Sequence, residues 1–208
     1  MPVMIFDHPL IKHKVAILRN KNTKMKEFRE LVEEITQVMS YEAFRDAKTE
    51  TVSVETPLEV CEQEMVADRS IAIVPILRAG LGMVNGVHKI FPGARVGHIG
   101  MYRDAKTSEP HLYYCKLPKG IEEMTAILLD PMLATGGSAC DAISILKDRG
   151  VKNIKFMAII ACPEGIKKVT EAHPDVDVYI STCDRCLNDH NYILPGLGDA
   201  GDRLFGTM

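Results

Sequence analysis

The sequence predicts an α/β fold, a mostly parallel central sheet flanked by helices. Three observations carry this. First, nearly unbroken apolar runs stand at 70–74, 124–130 and 154–161, as in strands buried on both faces. Second, helical periods or helix signals follow them at 83–90, 138–149 and 163–172, the alternation of βαβ units. Third, Arg78, Arg103 and Asp130 each stand at or just past the end of an expected strand. In open parallel sheets ligands bind outside the carboxyl ends of the strands.

Taken in order, residues 5–20 combine Asp7-His8-Pro9-Leu10 with a basic run of Lys12, His13, Lys14, Arg19 and Lys21, and read as a solvated arm. Thr23 is the expected cap of an amphipathic helix. Met25, Phe28, Leu31, Val32, Ile35, Val38 and Met39 recur at helical spacing to about Phe44, a core-forming stripe. Residues 49–60 alternate weakly and read as one or two short strands with a turn at Pro57. The strand at Ser70–Val74 ends in Pro75-Ile76-Leu77-Arg78-Ala79-Gly80-Leu81-Gly82, after which Met83, Val84, Val87 and Ile90 repeat helically.

A strand from Arg95 to Met101 leads through Tyr102-Arg103 into the polar segment Asp104 to Pro110, and Leu112–Leu117 is its returning partner. An irregular hairpin loop of this kind suits a lid. The strand at 124–130 and its helix, Ser138 to Arg149, stop at Gly150; Ile154–Ala161 is the next strand, Pro163 opens a helix to about Ala172, and Val176–Thr182 is the last strand. The tail from Asn188 to Thr207 holds too many glycines for a strand or helix, and its specific residue types suit a loop that exposes backbone groups to a ligand.

At 208 residues, 46% hydrophobic and 25% charged, the chain fits one domain with a sizeable core. A formal net charge of −3 leaves no electrostatic footprint for nucleic acid or anionic lipid. No apolar run reaches the ~20 residues of a membrane span, and MPVMIFDHPLIKHK has no secretory pattern. A cytoplasmic enzyme is the expectation. Of the six cysteines, Cys61, Cys115, Cys140 and Cys162 read as small hydrophobes. Cys183 and Cys186 form a C-x-x-C without a second pair, so a zinc site within the chain lacks ligands. Incidental thiols are the plain reading, with intersubunit metal or reversible oxidation as alternatives.

The stretch Met124–Ala139, MTAILLDPMLATGGSA, carries the chemistry. A buried strand delivers Asp130 to its end, and a glycine turn opens onto a helix N-terminus, where free N–H groups and the dipole favour a phosphate. Gly136 and Gly137 allow close backbone approach, Thr135 and Ser138 add hydroxyls, and Asp130 can hold sugar hydroxyls or a hydrated cation. Neither G-x-x-x-x-G-K-[ST] nor G-x-G-x-x-G occurs. The stretch resembles the phosphoribosyl-diphosphate loop of type I phosphoribosyltransferases, although Pro131 stands where that superfamily usually has a second acid. With the 75–82 loop, Gly100-Met101-Tyr102-Arg103 and the tail motif Tyr192-Ile193-Leu194-Pro195-Gly196-Leu197-Gly198-Asp199-Ala200-Gly201-Asp202, the chain from His8 to Thr207 resembles the uracil phosphoribosyltransferase family, in which Asp-Pro replaces the double acid.

The resemblance implies a type I phosphoribosyltransferase-like fold. It has a β-hairpin lid, a core at about 68–182 and a base-binding hood built from the N-terminal arm and 183–208. It implies transfer of a 5-phosphoribosyl group from the 1-diphosphate to uracil N1, with Mg²⁺ on the diphosphate and no protein metal site. Arg78, Arg103, Asp130 and Asp199 are the implied catalytic residues, the two arginines holding the departing diphosphate. Asp130, Pro131, Met132, Leu133, Ala134, Thr135, Gly136, Gly137 and Ser138 are implied to bind ribose and 5′-phosphate, with Asp199 nearby. Ile193, Gly198, Asp199 and Ala200 are implied to present uracil. A non-proline cis peptide is expected at Leu77–Arg78, or else at Arg78–Ala79. A homodimer or homotetramer is implied, and a GTP effector as in some members. Two alternatives stand beside this reading: a UMP-sensing, RNA-binding attenuation regulator of the same fold, and a purine or orotate phosphoribosyltransferase.

Overall fold

Alternate residues of the central strands enter two separate cores, which is what strands buried on both faces require. A computed structural model describes residues 3–67, 70–103 and 110–207, with only the backbone described at Arg103 and Pro110. In chain order the elements are β1 (Val3–Ile5), α1 (Pro9–Arg19), α2 (Met25–Ala43), β2 (Thr49–Glu55), β3 (Val60–Val66), β4 (Ile71–Leu77), α3 (Leu81–Ile90), β5 (Arg95–Val96), β6 (His98–Arg103) and β7 (Pro110–Lys116). Then come β8 (Thr125–Leu129), β9 (Met132–Leu133), α4 (Gly137–Asp148), β10 (Asn153–Ala161), α5 (Pro163–Ala172), β11 (Asp177–Cys183), β12 (Cys186–Leu187), β13 (Ile193–Leu194) and α6 (Ala200–Phe205).

The main sheet runs β1-β11-β10-β8-β4-β6-β7, with β5 beside β4 and β9 beside β10. Its pairings are parallel except β6–β7, an antiparallel hairpin whose register shifts between Gly100 and Met101. Ile71, Ile73, Ile127, Leu129, Met157 and Ile159 pack with α1, α2, α3 and α6 in one core. Ala72, Val74, Ala126, Leu128, Phe156 and Ala158 pack with α4 and α5 in the other. Because the central strands are parallel, their C-terminal ends share one rim. β4 and β8 are neighbours there, with Pro75 opposite Leu129, so Arg78 and Asp130 leave adjacent strand ends.

Several expectations need correction. The N-terminal segment is no solvated arm: β1 pairs with β11, and α1 buries Ile11, Val15 and Leu18. Pro9 sits in the first helical turn, and His8 caps it by accepting from the Leu10 N–H at 3.2 Å, an arrangement suited to proline's missing donor. Lys24, not Thr23, is the cap position of α2; the Thr23 hydroxyl donates instead to the Ile17 carbonyl at 2.6 Å. The 49–60 region extends to Val66 as a full hairpin of β2 and β3. The strand expected at 95–101 is split, because the Gly97 N–H turns to the Ile73 carbonyl between β5 and β6.

The tail does contain regular structure. Ile193–Leu194 pairs with Cys186–Leu187, and Ala200–Phe205 is helical. Asp199 caps that helix by accepting from the Asp202 N–H at 2.9 Å, and Gly206 ends it at φ 69°. Short capped elements fit between glycines that a residue count alone treats as breakers. The hairpin carrying the expected lid is present, but Asp104–Glu109 lie outside the described residues. The Leu77–Arg78 peptide is cis, as expected, and Leu194–Pro195 is a second cis bond.

Candidate active site

A cavity of about 650 Å³ opens at the C-terminal rim of the sheet. Its walls come from four places: the end of β4 with Arg78 and Ala79, Met101 of β6, the turn after β8, and the tail from His190 to Gly201. Among the expected site residues, Arg78, Asp130, Met132, Ala134, Ser138, Ile193, Gly198, Asp199 and Ala200 line it. Thr135, Gly136 and Gly137 form the adjoining turn into α4. Pro131 and Leu133 are buried instead of lining the cavity: the Pro131 carbonyl accepts from Ile159 and Ile160, and Leu133 belongs to a core. The Arg103 backbone ends β6 opposite Pro110, and its side chain lies outside the description.

The turn after β8 is held from several sides. Asp130 donates its backbone N–H to the Met157 carbonyl at 3.2 Å, while its carboxylate accepts from the Met132 N–H at 3.2 Å. The Cys162 thiol donates to the Ala134 carbonyl at 3.1 Å, and burial pushes that thiol's pKa up to about 11. It is therefore a neutral donor supporting the turn, a use not visible from its sequence context. Gly136 caps α4 with φ 79°, and an added Cβ would stand 3.0 Å from the Gly165 carbonyl oxygen. Glycine is required on both counts. Gly136 supplies no side-chain cap to the twelve-residue α4, and the Gly137 N–H reaches only the Thr135 hydroxyl, at 3.5 Å, so the first turn has N–H groups to offer an anion.

Arg78 is 57% exposed at its side chain, lies 3.8 Å from Asp202 and stands over the Phe205 ring at 5.9 Å from its centroid. A Cβ added at Gly201 would lie 3.2 Å from the Asp199 carboxylate and 4.0 Å from Arg78 Nη2, which places those groups around one glycine. His190, Asn191 and Tyr192 also line the cavity but were not singled out as site residues. Their position within the tail from Asn188 to Thr207 was the available signal. Asn191 holds φ 62°, and the Asn188 side chain accepts from the His190 and Tyr192 N–H groups, each at 2.9 Å. That is a side-chain-nucleated turn facing the cavity.

Among the described residues no group of three or more His, Cys, Asp or Glu is arranged to hold a metal ion. Asp130 and Asp199 are the cavity's carboxylates. This donor set suits Mg²⁺ carried in on phosphate oxygens, since Mg²⁺ keeps several waters and uses few protein carboxylates. No described helix is long and apolar enough to cross a membrane.

The family model described as uracil phosphoribosyltransferase matches residues 4–207. A uracil phosphoribosyltransferase of Lysinibacillus sphaericus is 58% identical over 205 residues, 99% of this chain and 98% of the relative. That of Bacillus thuringiensis is 56% identical over 203 residues, 98% and 97% of the two chains. In structure, the AQ2163 protein of Aquifex aeolicus superposes with a TM-score of 0.93 at 39% identity, covering 98% of each chain. The adenine phosphoribosyltransferase of Trypanosoma brucei superposes at 0.59 with 12% identity, over 95% of this chain and 87% of that one, a likeness of fold alone.

Proposed function

The chain belongs to the uracil phosphoribosyltransferase family, and it moves the 5-phosphoribosyl group of phosphoribosyl diphosphate to uracil; from that premise we propose how the cavity divides the work. The reaction breaks the bond from C1′ to the diphosphate oxygen and forms one from C1′ to uracil N1, whose proton is lost. UMP and diphosphate leave. Positive charge develops at C1′ and negative charge on the leaving group, so positioning and charge stabilisation are the protein's main levers.

Asp130 faces the ribose 2′- and 3′-hydroxyls in this reading, and residues 134–138 receive the 5′-phosphate at the start of α4. Arg78 takes the diphosphate oxygens, for which a guanidinium fork is well shaped. Arg103, arriving from the neighbouring hairpin, shares that role. Ile193, Gly198 and Ala200 read uracil through backbone groups, and Asp199 stands between base and sugar. The observation that carries this reading is that Arg78 and Asp130, from adjacent strand ends, line the same cavity as Gly198–Ala200.

Mg²⁺ would arrive on the diphosphate, with Asp130 and Asp199 available to its water shell, and would neutralise charge on the leaving group. The hood comprises the N-terminal segment and 183–208 over a core at about 68–182. A homodimer or homotetramer, a GTP effector and a cytoplasmic location belong to the same reading and rest on the family resemblance. The RNA-binding regulator finds no support among the relatives, which are named for the enzyme. Incubation with uracil, phosphoribosyl diphosphate and Mg²⁺ tests the whole: UMP should accumulate, and adenine, hypoxanthine and orotate should not be consumed.

A further inference from the structure

The turn that reaches the cavity is gripped from behind by an ion pair of a half-buried arginine and a buried aspartate. Asp184, 7% exposed, follows β11 inside the C-x-x-C stretch. Its Oδ2 accepts from the Gly196 N–H at 2.9 Å and from Arg19 Nη1 at 2.7 Å, and its Oδ1 pairs with Arg19 Nη2. Arg19 Nη1 also donates to the Gly196 carbonyl at 2.8 Å. Both backbone polar groups of Gly196 are thus bound to one pair, and the residue has no room to shift. Its φ is 64°, and an added Cβ would lie 2.1 Å from the Ile193 carbonyl oxygen. The next carbonyl, Leu197, is fixed by Arg203 Nη1 at 2.9 Å, while Arg203 stacks over Phe28 at 4.3 Å. Two residues on, Gly198 begins the cavity wall. Arg19, Asp184 and Arg203 do not line the cavity themselves.

We propose that Arg19 and Asp184 form a clasp that sets the position of Gly198–Ala200, and through it the affinity for the pyrimidine and the choice between uracil and cytosine. The inference rests on the reading that these backbone groups face the base. A buried ion pair is a poor route to stability compared with apolar packing. A bidentate pair aimed at a single glycine, by contrast, is well suited to fixing a main-chain position. Backbone atoms cannot be tuned by changing their own side chains, so their placement depends on what holds the loop. A misplacement of about 1 Å can cost roughly 100-fold in rate.

The test separates the two Michaelis constants. Asp184→Asn retains the size of the side chain but loses its charge, and Arg19→Lys retains the charge but loses the fork. Each should raise the KM for uracil by about tenfold or more, raise that for phosphoribosyl diphosphate by a clearly smaller factor, and narrow the uracil-over-cytosine ratio. Measurements are made at least 15 °C below each variant's own melting point, so that lost stability does not enter; two variants guard against one failing to fold. An unaltered uracil KM and base ratio in a folded variant overturns the clasp, as does an equal rise in both constants. Ala200→Val, which intrudes on the cavity directly, is the control. If it raises the uracil KM and the clasp variants do not, the base assignment stands and the clasp falls. If it leaves uracil binding unchanged, the base assignment falls and the clasp with it.

Discussion

Arg78 Nη2 lies 3.8 Å from Asp202 Oδ1, a long pair in which both side chains are partly open to solvent. Such a contact contributes about 0–1 kcal/mol, so it holds the guanidinium at the cavity mouth without committing it there. The expected outcome for Arg78→Ala is a fall in kcat/KM of about 10- to 100-fold, the scale of one or two charge-assisted hydrogen bonds. It should be expressed mainly as weaker binding of phosphoribosyl diphosphate. Melting temperature should move by less than about 3 °C. Asp202→Asn, which removes the charge of the loose partner and leaves an oxygen able to accept from the Thr207 hydroxyl, should retain activity within about threefold. Equal losses in both variants would identify the pair itself as the important unit.

Asp130→Asn should fold normally, because a carboxamide oxygen can still accept from the Met132 N–H that the carboxylate now accepts. Binding of phosphoribosyl diphosphate should nonetheless weaken by about tenfold or more, since hydrogen bonds to charged groups contribute about 1.5–3 kcal/mol. Titration calorimetry with the diphosphate substrate measures this directly. An unchanged dissociation constant would show that the acid does not reach the sugar.

Base choice should resist side-chain changes in the tail. Leu197 is buried in a core and Leu194 is half-buried, so Leu197→Ala and Leu194→Ala should lower activity without admitting cytosine. Uracil offers O4 and N3–H where cytosine offers the opposite pair. Two mismatched buried hydrogen bonds at about 1–3 kcal/mol each oppose the switch. Turnover of cytosine within tenfold of uracil in the parent protein would refute main-chain reading of the base.

His173 predicts a pH dependence of stability. It is buried, with Nε2 3.0 Å from the Cys140 carbonyl and Nδ1 3.3 Å from Lys147 Nζ. Burial first, and then the Lys147 charge, lower its pKa from 6.5. The neutral tautomer that donates from Nε2 and accepts at Nδ1 satisfies both contacts. Below 6.5 the unfolded chain takes up this proton before the folded one does, so stability falls as pH drops through that value, until the folded-state pKa is reached. Melting temperature should therefore decrease between pH 7.5 and 5.5, and His173→Gln should flatten that slope. An unchanged slope would mean that other groups govern acid sensitivity.

The sequence was most legible where one signal dominated. Pro163 to Ala172 has the bounds expected from its opening proline. The strand before Asp130 and the turn into α4 were visible from an apolar run, an acid and two glycines. The N-terminal helix was missed because Lys12, His13 and Lys14 masked the 11, 15, 18 spacing that places Ile11, Val15 and Leu18 on one face. The tail side of the cavity was legible as a motif but not as a structure. Its geometry depends on Arg19 meeting Asp184 and on Arg203 reaching Leu18, contacts more than 160 positions apart that no local pattern encodes.

The edge strand β1 pairs with β11, Val3 with Val178 through Ile5 with Ile180. Residues 3–5 must therefore wait for residues 178–180, made some 175 positions later. At about 5–20 residues per second, that delay is roughly 10–35 s, during which β1 has no strand to pair with. The same interval keeps Arg19 apart from Asp184, so the proposed clasp cannot form on a partial chain. A nascent chain halted before β11 would carry the glycine turn after β8 and yet lack the side of the cavity formed by residues 190–201. Truncated translation products should thus be unable to turn phosphoribosyl diphosphate into nucleotide.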